Sequence, residues 1–276
     1  MKNILTTAAP LALLAMAAAP AQAADYGAAR VATPSYGTWA DLTAAAGIYR
    51  WVDDNDNSDT KSAVRGEGRV GMGLGGGAML QVDVSGSSFS KGNSNNPVFD
   101  LAAHLGLMSG PGGGYGVMVS LGDACESFEC DRFVTIAGEA VWGIGALGPA
   151  RLGAQLGWTT SLTDSDSVGY IHGVLDFMAG PNVLLSVNLG YSSDSNDFVT
   201  WRYGAKAEMA FNNIVSGFIE WQGAHITNDT YAQDQNRVLL GLTLAVNGSG
   251  LANRSPLHDF NPWSGINHLG PDGGKK

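Results

Sequence analysis

Apolar and polar residues alternate along twelve stretches of the chain, from about residue 39 to residue 247. Successive side chains of a β-strand point to opposite faces of a sheet, so sustained alternation predicts a strand with one apolar and one polar face. The stretches are about 9 to 13 residues long, which is enough for a tilted strand to cross the hydrocarbon layer of a membrane. The pattern therefore predicts an all-β protein of twelve strands.

The connections between the stretches are of two kinds that follow each other in turn. Six are longer and rich in Asp, Asn, Ser and Gly (53–60, 87–97, 122–132, 160–166, 192–197 and 223–236), and five are short and contain Gly, Pro or Asn (75–76, 110–114, 147–150, 180–181 and 212–213). Because consecutive antiparallel strands run in opposite directions, this order predicts that every long loop leaves the structure on one side. The tight turns and both termini are expected on the other side.

The first 23 residues have the features of a secretory signal peptide. Lys2 precedes an apolar run at 11–19, and Ala21 and Ala23 stand at the small-residue positions of a cleavage site, so the mature chain is expected to begin at Ala24. Residues 24–38 then lead into the first strand. The apolar run is too short for a transmembrane helix, and no later segment approaches twenty uninterrupted apolar residues, which argues against a helical inner-membrane protein.

The composition narrows the class of protein further. Charged residues make up 14% of the sequence, against about 25% in ordinary soluble domains, and the chain contains 39 Gly. This is too little charge to cover a surface that faces water on all sides. The net charge of −10 also argues against a nucleic-acid partner, which requires a basic surface.

Periodicity alone does not decide whether the apolar face points outward to lipid or inward, as in a soluble lipocalin-like barrel. Three features favour an apolar face that points outward to lipid. The chain has few charged residues, the long and short connections lie on opposite sides, and the polar face consists of small or oppositely charged residues. Strand direction also sorts the aromatic residues of the apolar face into two groups, as two interfacial belts require. Tyr115, Trp142, Phe177 and Phe211 fall beside the short turns, and Phe99, Trp158, Tyr191, Trp201 and Trp221 fall toward the long loops.

On these features the chain resembles the outer-membrane β-barrel superfamily of Gram-negative bacteria, as a porin-like barrel of twelve strands over about residues 39–247. The resemblance implies a single transmembrane, antiparallel, up-and-down β-barrel with both termini in the periplasm. It also implies contact with outer-membrane lipid and lipopolysaccharide, and insertion by the barrel assembly machinery. The chain departs from the usual pattern at its end, because the last strand closes on the aliphatic Leu244 and Val246 rather than on an aromatic residue.

A tail of residues 248–276 follows the last strand. It contains Pro256, Pro262 and Pro271 with several Gly, a composition that is incompatible with a strand of the barrel. We expect a mobile periplasmic extension. The alternative is a segment that enters the barrel mouth or docks on a periplasmic partner through Phe260 and Trp263.

The polar face defines a set of interior side chains of both charges. Position along the strands assigns these residues, with Asp41, to the lumen: Arg65, Glu67, Arg69, Asp83, Asp100, His104, Glu139, Arg151, His172, Asp176, Arg202, Lys206, Glu208, Glu220 and Arg237. Within the hairpins, Asp83 is expected near Glu67, with Arg65 and Arg69 on the diagonals, and Glu220 is expected opposite Lys206.

Two interpretations of the interior set remain open. Facing rows of opposite charge create a transverse field across a water-filled passage, which would orient small polar solutes and tune ion selectivity. Alternatively, the same groups meet across a narrow lumen and close it as a satisfied network. The sequence therefore predicts a passive channel, narrow or gated, for small hydrophilic solutes or ions, without a cofactor. The alternative function is a non-conducting barrel that has a structural role or presents its acidic loops to the outside.

A catalytic role has less support, and we expect neither enzyme activity nor catalytic residues. A phospholipase-like site needs a His on the lipid face, whereas His104 and His172 are assigned to the interior. A protease-like site at the rim would depend on His225 with Asp229 and Asp234 nearby in the sixth long connection, and acidic residues are common in solvated loops.

Both cysteines, Cys125 and Cys130, fall in the third long connection. In an exported protein this pair is expected to form a disulfide rather than a metal site, because no His accompanies it. Within the acidic run at 53–59, the alternation of Asp54, Asp56 and Ser58 resembles the start of a calcium loop. Counted from Asp54, however, Gly is missing from the sixth position and Arg65 occupies the twelfth. No metal site is therefore predicted.

Overall fold

The structure is a computed structural model that describes residues 38–91, 94–108, 113–126, 129–144, 150–163, 166–194 and 197–246. These residues form twelve antiparallel strands in one closed barrel. The strands are β1 (Trp39–Asp53), β2 (Ser58–Gly75), β3 (Ala78–Lys91), β4 (Ser94–Met108), β5 (Gly114–Glu126), β6 (Glu129–Ile144), β7 (Ala150–Ser161), β8 (Ser167–Met178), β9 (Val183–Asp194), β10 (Val199–Ala210), β11 (Val215–Asn228) and β12 (Tyr231–Val246). The prediction of an all-β, twelve-stranded, up-and-down barrel is confirmed.

The barrel closes where β1 pairs with both β2 and β12. Ala44 of β1 lies opposite Gly66 of β2 and opposite Leu242 of β12. The other strands pair with their neighbours along the chain. Closure leaves no sheet edge, so the backbone N–H and C=O groups of the strands bond within the sheet, as a segment in hydrocarbon requires.

The apolar face of the strands lies on the outside of the barrel. On β4, Leu101 and Leu105 are 50% and 51% exposed, whereas Asp100 and His104 are 4% and 0% exposed. The same alternation recurs around the barrel, so the exterior is far more apolar than the surface of a water-soluble monomer. The outward orientation of the apolar face agrees with the sequence prediction.

Exposed aromatic residues stand at both ends of this apolar exterior. Tyr115 and Trp142 are exposed near the ends of their strands at the predicted tight turns, and Phe99 is exposed toward the opposite ends. Trp201 and Phe211 lie ten residues apart along β10 and the turn that follows it. At a rise of about 3.3 Å per residue and a tilt of about 40°, this separation spans about 25 Å, the height of the apolar band of an outer-membrane barrel.

The turn between β2 and β3 depends on glycine. Gly75, Gly76 and Gly77 have φ angles of 88°, 60° and 85°, in the left-handed region that glycine adopts at the lowest cost. A Cβ atom on Gly77 would also lie 2.8 Å from the carbonyl oxygen of Met108. The Gly77 carbonyl accepts a hydrogen bond from the Met108 amide at 2.9 Å, so the turn is held directly against the end of β4.

The long connections differ from the prediction, because most of their residues belong to strands. Residues 223–236 are predicted to form a loop, but β11 continues to Asn228 and β12 begins at Tyr231. Residues 92–93 alone separate β3 from β4, and residues 127–128 alone separate β5 from β6. Alternation of apolar and polar residues disappears where both faces of a hairpin meet water, while backbone pairing between the strands continues. The strands therefore extend beyond the apolar band as hairpins.

The predicted signal peptide (1–23), the lead-in up to residue 37 and the predicted tail (248–276) lie outside the described residues. Within the part of the chain that the structure describes, no helix is long and apolar enough to cross a membrane.

Candidate functional site

The predicted interior residues lie on the side of the strands that faces into the barrel. Most of the set is buried: Glu67, Arg69, Asp83, Asp100, His104, Glu139, His172, Asp176, Arg202, Glu208 and Glu220. Arg65, Arg151, Lys206 and Arg237 are partly buried. Asp41, at 4% exposed, also faces inward. The barrel interior is therefore densely charged, and its function depends on which of these groups meet.

Arg65 makes an ion pair across two intervening strands. Its Nη1 and Nη2 donate to Oε1 and Oε2 of Glu220 at 3.1 and 2.7 Å. Arg65 lies on β2 and Glu220 on β11, with β1 and β12 between them. The strands between present small residues: Ala45 lies opposite Arg65, and Gly241 lies opposite Ala45. These residues leave room for a bidentate pair, the strong geometry for arginine and carboxylate.

The network continues along β2 and onto β3. Nε of Arg65 lies 3.1 Å from Oε1 of Glu67, whose second oxygen, Oε2, lies 3.1 Å from Nη2 of Arg69. Nε of Arg69 lies 3.8 Å from Oδ2 of Asp83. The charges alternate along this series, so each buried charge has a neighbour of opposite sign, which offsets much of the cost of removing it from water.

His104 extends the series to β6. Its Nε2 lies 3.3 Å from Oδ2 of Asp83, and its Nδ1 lies 3.0 Å from Oε2 of Glu139. An imidazole that carries a proton on both nitrogens can donate to both carboxylates. Gln155 of β7 donates from Nε2 to Oε1 of Glu139 at 2.8 Å. Polar contacts thus run from Glu220 on β11, by way of β2, β3, β4 and β6, to β7.

The pairing between β2 and β3 differs from the sequence expectation. Asp83 lies directly opposite Arg69 and diagonal to Glu67, whereas it is predicted near Glu67 with Arg69 on a diagonal. The register shifts between Gly73 and Gly75 at the turn. A count of residues across the turn does not include such an irregularity, which explains the error.

Lys206 lies opposite Glu220 in the register, as predicted, but the two do not form the ion pair. Nζ of Lys206 lies 2.8 Å from Oε2 of Glu208 on its own strand and 4.6 Å from the ring centroid of Phe218. Glu208 also accepts a hydrogen bond from Ser216. Glu220 binds Arg65 instead, because the guanidinium group reaches it over β1 and β12 with two donors.

Uncharged side chains pack beside the charged groups in the interior on the side of β4 to β8. Met118 is 0% exposed and packs with Ala102, Ala137 and Tyr170. Gln155 is 1% exposed in the same region. These residues are not in the predicted interior set, although their position on the inward face of predicted strands could have identified them. This side of the lumen is closed by packing.

The opposite side of the interior contains a cavity of about 210 Å³. Hydroxyl and amide side chains form part of its wall, among them Ser85, Ser87 and Asn188. Its charged lining consists of Arg65, Arg69, Arg202, Lys206 and Arg237 with Glu67 and Glu220, and His172 also borders it. The interior therefore combines the two arrangements that the sequence leaves open: a packed network on one side and a polar cavity on the other.

His225 lies on the outer face of β11, where the sequence predicts a loop. Its Nδ1 lies 2.8 Å from Oδ1 of Asp234, which is opposite it on β12, and both side chains are partly exposed. The outward-facing Trp201 lies opposite His225 on β10. The His–Asp pair thus faces away from the lumen, so it is not placed above the lumen as a protease-like rim site requires.

The cysteines and the first acidic segment hold hairpin ends together. Cys125 and Cys130 lie directly opposite each other on β5 and β6, joined by a disulfide. Asp53 accepts hydrogen bonds from the amides of Asn55 and Asn57, and its Oδ2 accepts one from Nδ2 of Asn57. The side-chain hydrogen bond of Asn57 above all holds the pKa of Asp53 below its ordinary value. No cluster of three or more His, Cys, Asp or Glu suited to a metal ion occurs among the described residues.

Solved structures that are similar to this barrel include a channel, an autotransporter domain and a porin. An outer-membrane channel from Pseudomonas putida F1 superposes with a TM-score of 0.53 at 12% identity, over 78% of this chain and 97% of that chain. The translocator domain of the autotransporter NalP from Neisseria meningitidis gives a TM-score of 0.49 at 14% identity, over 76% of this chain and 89% of that chain. The NanC porin gives 0.48 at 10% identity, over 74% and 98%.

Sequence comparison adds nothing to this likeness: no family model matches the chain, and no curated protein sequence matches it. At 12% identity, the likeness to the Pseudomonas putida channel concerns the fold. The chain thus shares its fold, a closed antiparallel barrel, with that outer-membrane channel.

Proposed function

We propose that this protein is a bacterial outer-membrane barrel that acts as a passive, narrow channel for small hydrophilic solutes or ions. The observation that carries the proposal is the cavity of about 210 Å³ inside a barrel whose outer face is apolar. Its lining of charged, hydroxyl and amide side chains can replace the hydration of a polar solute. The Pseudomonas putida F1 protein with a similar fold is an outer-membrane channel, which supports the proposal.

In this function the interior charges are pore-lining residues: some narrow the lumen, and others line the space that remains open. The Arg65–Glu220 pair lies over β1 and β12 and narrows the lumen there, and Glu67, Arg69 and Asp83 continue the charged series along β2 and β3. The cavity beside it is the space through which a solute passes. A lumen narrowed in this way excludes large molecules.

The proposal includes an arrangement of the whole chain. Residues 1–23 are removed as a signal peptide, the barrel spans about residues 39–247, and the lead-in (24–38) and the tail (248–276) lie in the periplasm. The extended hairpins then face the cell exterior, where lipopolysaccharide surrounds them. The barrel assembly machinery inserts the chain. Binding of a periplasmic partner is a further role for the tail. The protein performs no enzymatic reaction.

Single-channel recording in planar bilayers tests the channel. Purified wild-type protein is expected to produce stepwise conductance, and Ser85→Trp, which fills the cavity wall with a large ring, is expected to lose most of it. Val84→Trp is the matched control, because Val84 is the adjacent residue on β3 and is 55% exposed on the outer face. Heat-dependent mobility in electrophoresis checks that each variant is folded. The absence of conductance steps from folded wild-type protein would refute the channel.

The second candidate is a barrel with a structural or surface-interaction role and no conductance. The packed side of the lumen favours it, because Met118 and His104 are both 0% exposed, and the Arg65–Glu220 pair occupies further space over β1 and β12. If this candidate is right, liposomes that contain wild-type protein stay impermeable to a small neutral sugar such as arabinose. Swelling of those liposomes in arabinose would instead support the channel.

A further inference from the structure

The charges of the interior are segregated between its two sides. The lining of the cavity contains the five cations Arg65, Arg69, Arg202, Lys206 and Arg237 with the two carboxylates Glu67 and Glu220. Asp100 and Glu139, at 4% exposed each, belong to the side of the interior away from this lining. A solute in the cavity is therefore surrounded by more positive than negative charge, although the interior set as a whole contains more acidic than basic residues.

Part of this positive charge is balanced by contacts within the wall. Arg65 contacts Glu67 and Glu220, and Arg69 contacts Glu67 and Asp83. Lys206 contacts Glu208, which is not part of the cavity lining. The contacts of Arg237 are with neutral groups: it donates a hydrogen bond to Gln222, and its guanidinium carbon lies 5.9 Å from the ring centroid of Phe89.

Arg202 supplies a second guanidinium group to the same cavity. It is 5% exposed, and it lines the wall together with Arg237. Guanidinium groups bind carboxylates with paired, charge-assisted hydrogen bonds, which are stronger where water is largely excluded. Arg202 lies opposite Ala224 of β11, and Ala224 lies opposite Gln235 of β12. Gln235 is two residues from Arg237, so the two arginines are neighbours on the inward face and are suited to hold one carboxylate.

The cavity also has an apolar wall beside the arginines. Tyr49 and Phe89 both line it, with their ring centroids 4.6 Å apart, and Tyr49 lies opposite Arg237 in the register of β1 and β12. Val98 and Val174 add aliphatic surface. A ligand with a charged group at one end and an apolar body at the other matches this combination of side chains.

We propose that the cavity is a binding site for small organic anions, with the carboxylate on Arg202 and Arg237 and the carbon frame against Tyr49 and Phe89. A volume of about 210 Å³ is below the range of about 300–1,000 Å³ for drug-sized ligands, which fits a single small acid. The inference rests on the proposed function in one respect only, because the ligand reaches the site along the lumen.

Binding of benzoate to the full-length protein in detergent, measured by isothermal titration calorimetry, tests the site without conductance. Wild-type protein is expected to bind benzoate but not benzyl alcohol, which has the same ring without the charge. The double variant Arg202→Gln/Arg237→Gln is expected to bind benzoate at least about tenfold more weakly than wild-type protein. A change of this size corresponds to the loss of about one charge-assisted contact. Arg202→Lys/Arg237→Lys keeps the charge and is expected to retain part of the affinity.

Arg132→Gln is the control variant, because Arg132 is 67% exposed and pairs with Asp123 at the surface. Its affinity for benzoate is expected to equal that of wild-type protein. Equal affinity in the double glutamine variant, with electrophoretic mobility showing a folded barrel, overturns the site. So does equal binding of benzoate and benzyl alcohol to wild-type protein.

Bilayer recording separates this inference from the proposed channel. In a KCl gradient the wild-type reversal potential is expected to favour chloride, benzoate is expected to reduce the current, and the double glutamine variant is expected to shift the reversal potential toward potassium. Conductance steps without selectivity for anions and without block by benzoate would leave the channel intact and refute the anion site. Binding of benzoate that depends on both arginines, in a protein without conductance, would refute the channel and support the site.

Discussion

Arg65 is a buried charge that two carboxylates on other parts of the wall neutralise. Its side chain is 8% exposed and contacts both Glu67 and Glu220. Removing one member of a buried ion pair leaves the other as an uncompensated charge, which costs far more than the net value of the pair. An exposed pair such as Arg132 and Asp123 carries no such penalty, because water replaces the lost partner.

We predict that Arg65→Met lowers the free energy of unfolding by about 3–5 kcal/mol, and that Arg65→Met/Glu220→Met lowers it by less than the sum of the single variants. Urea titration in lipid vesicles, followed by tryptophan fluorescence, measures both effects. Arg132→Met is the control and is expected to cost at most about 1 kcal/mol. Equal losses for Arg65→Met and Arg132→Met would contradict the account of the network.

Glycine has a packing role at Gly157. A Cβ atom there would lie 2.5 Å from Cζ of Tyr170, which is 3% exposed and packs in the filled side of the lumen. We predict that Gly157→Ala displaces Tyr170 and destabilises the barrel by about 1–3 kcal/mol. Gly138→Ala is the matched control, because its Cβ would meet no atom within 4 Å. The same urea titration distinguishes them, and equal stability of the two variants would argue against the packing role.

Each strand has one region that lies in the apolar band and another that belongs to a hairpin beyond it. The outer face of β2 includes Val64 and Val70 in the apolar exterior and Ser62 nearer the β1–β2 hairpin end. Val70 pairs with Val82 of β3, which pairs with Ala103 of β4, between the aromatic Phe99 and the turn of that strand. Val70 therefore lies near the middle of the apolar band and Ser62 lies beyond it.

We predict that Val70→Arg destabilises the folded barrel in lipid vesicles by about 2–4 kcal/mol, because a charge near the bilayer midplane is costly, and that Ser62→Arg costs about 0–1 kcal/mol. The two substitutions place the same side chain on the same face of one strand. Similar costs for both would mean that the hairpin end is not outside the hydrocarbon layer.

In the whole molecule, closure of the barrel determines which interior side chains can contact one another. The direction of insertion determines which end of the barrel contacts the cell exterior and which contacts the periplasm. The hairpin ends include Asp54 and Asp229, and the opposite side includes the turns at Gly75 and Pro181. We propose that the hairpin ends face the cell exterior.

Labelling of intact cells with a membrane-impermeant maleimide tests this orientation. In a background with Cys125→Ser and Cys130→Ser, we predict rapid labelling of Asp229→Cys and no labelling of Pro181→Cys until the outer membrane is permeabilised. Labelling of Pro181→Cys alone in intact cells would show the opposite orientation.

The twelve strands, the two faces of each strand and the set of interior charges follow from the amino-acid sequence, because alternation with a period of two is a local property of the chain. The extent of the hairpins does not follow from it, since backbone pairing between β11 and β12 continues where the alternation stops. The partners of the charges depend on the closed barrel. The contact between Arg65 and Glu220 joins residues 155 positions apart and exists only because the barrel closes and small residues lie between them. The packed side of the lumen and the cationic cavity follow from the same closure, because shape and contact across a lumen depend on the register of all twelve strands together.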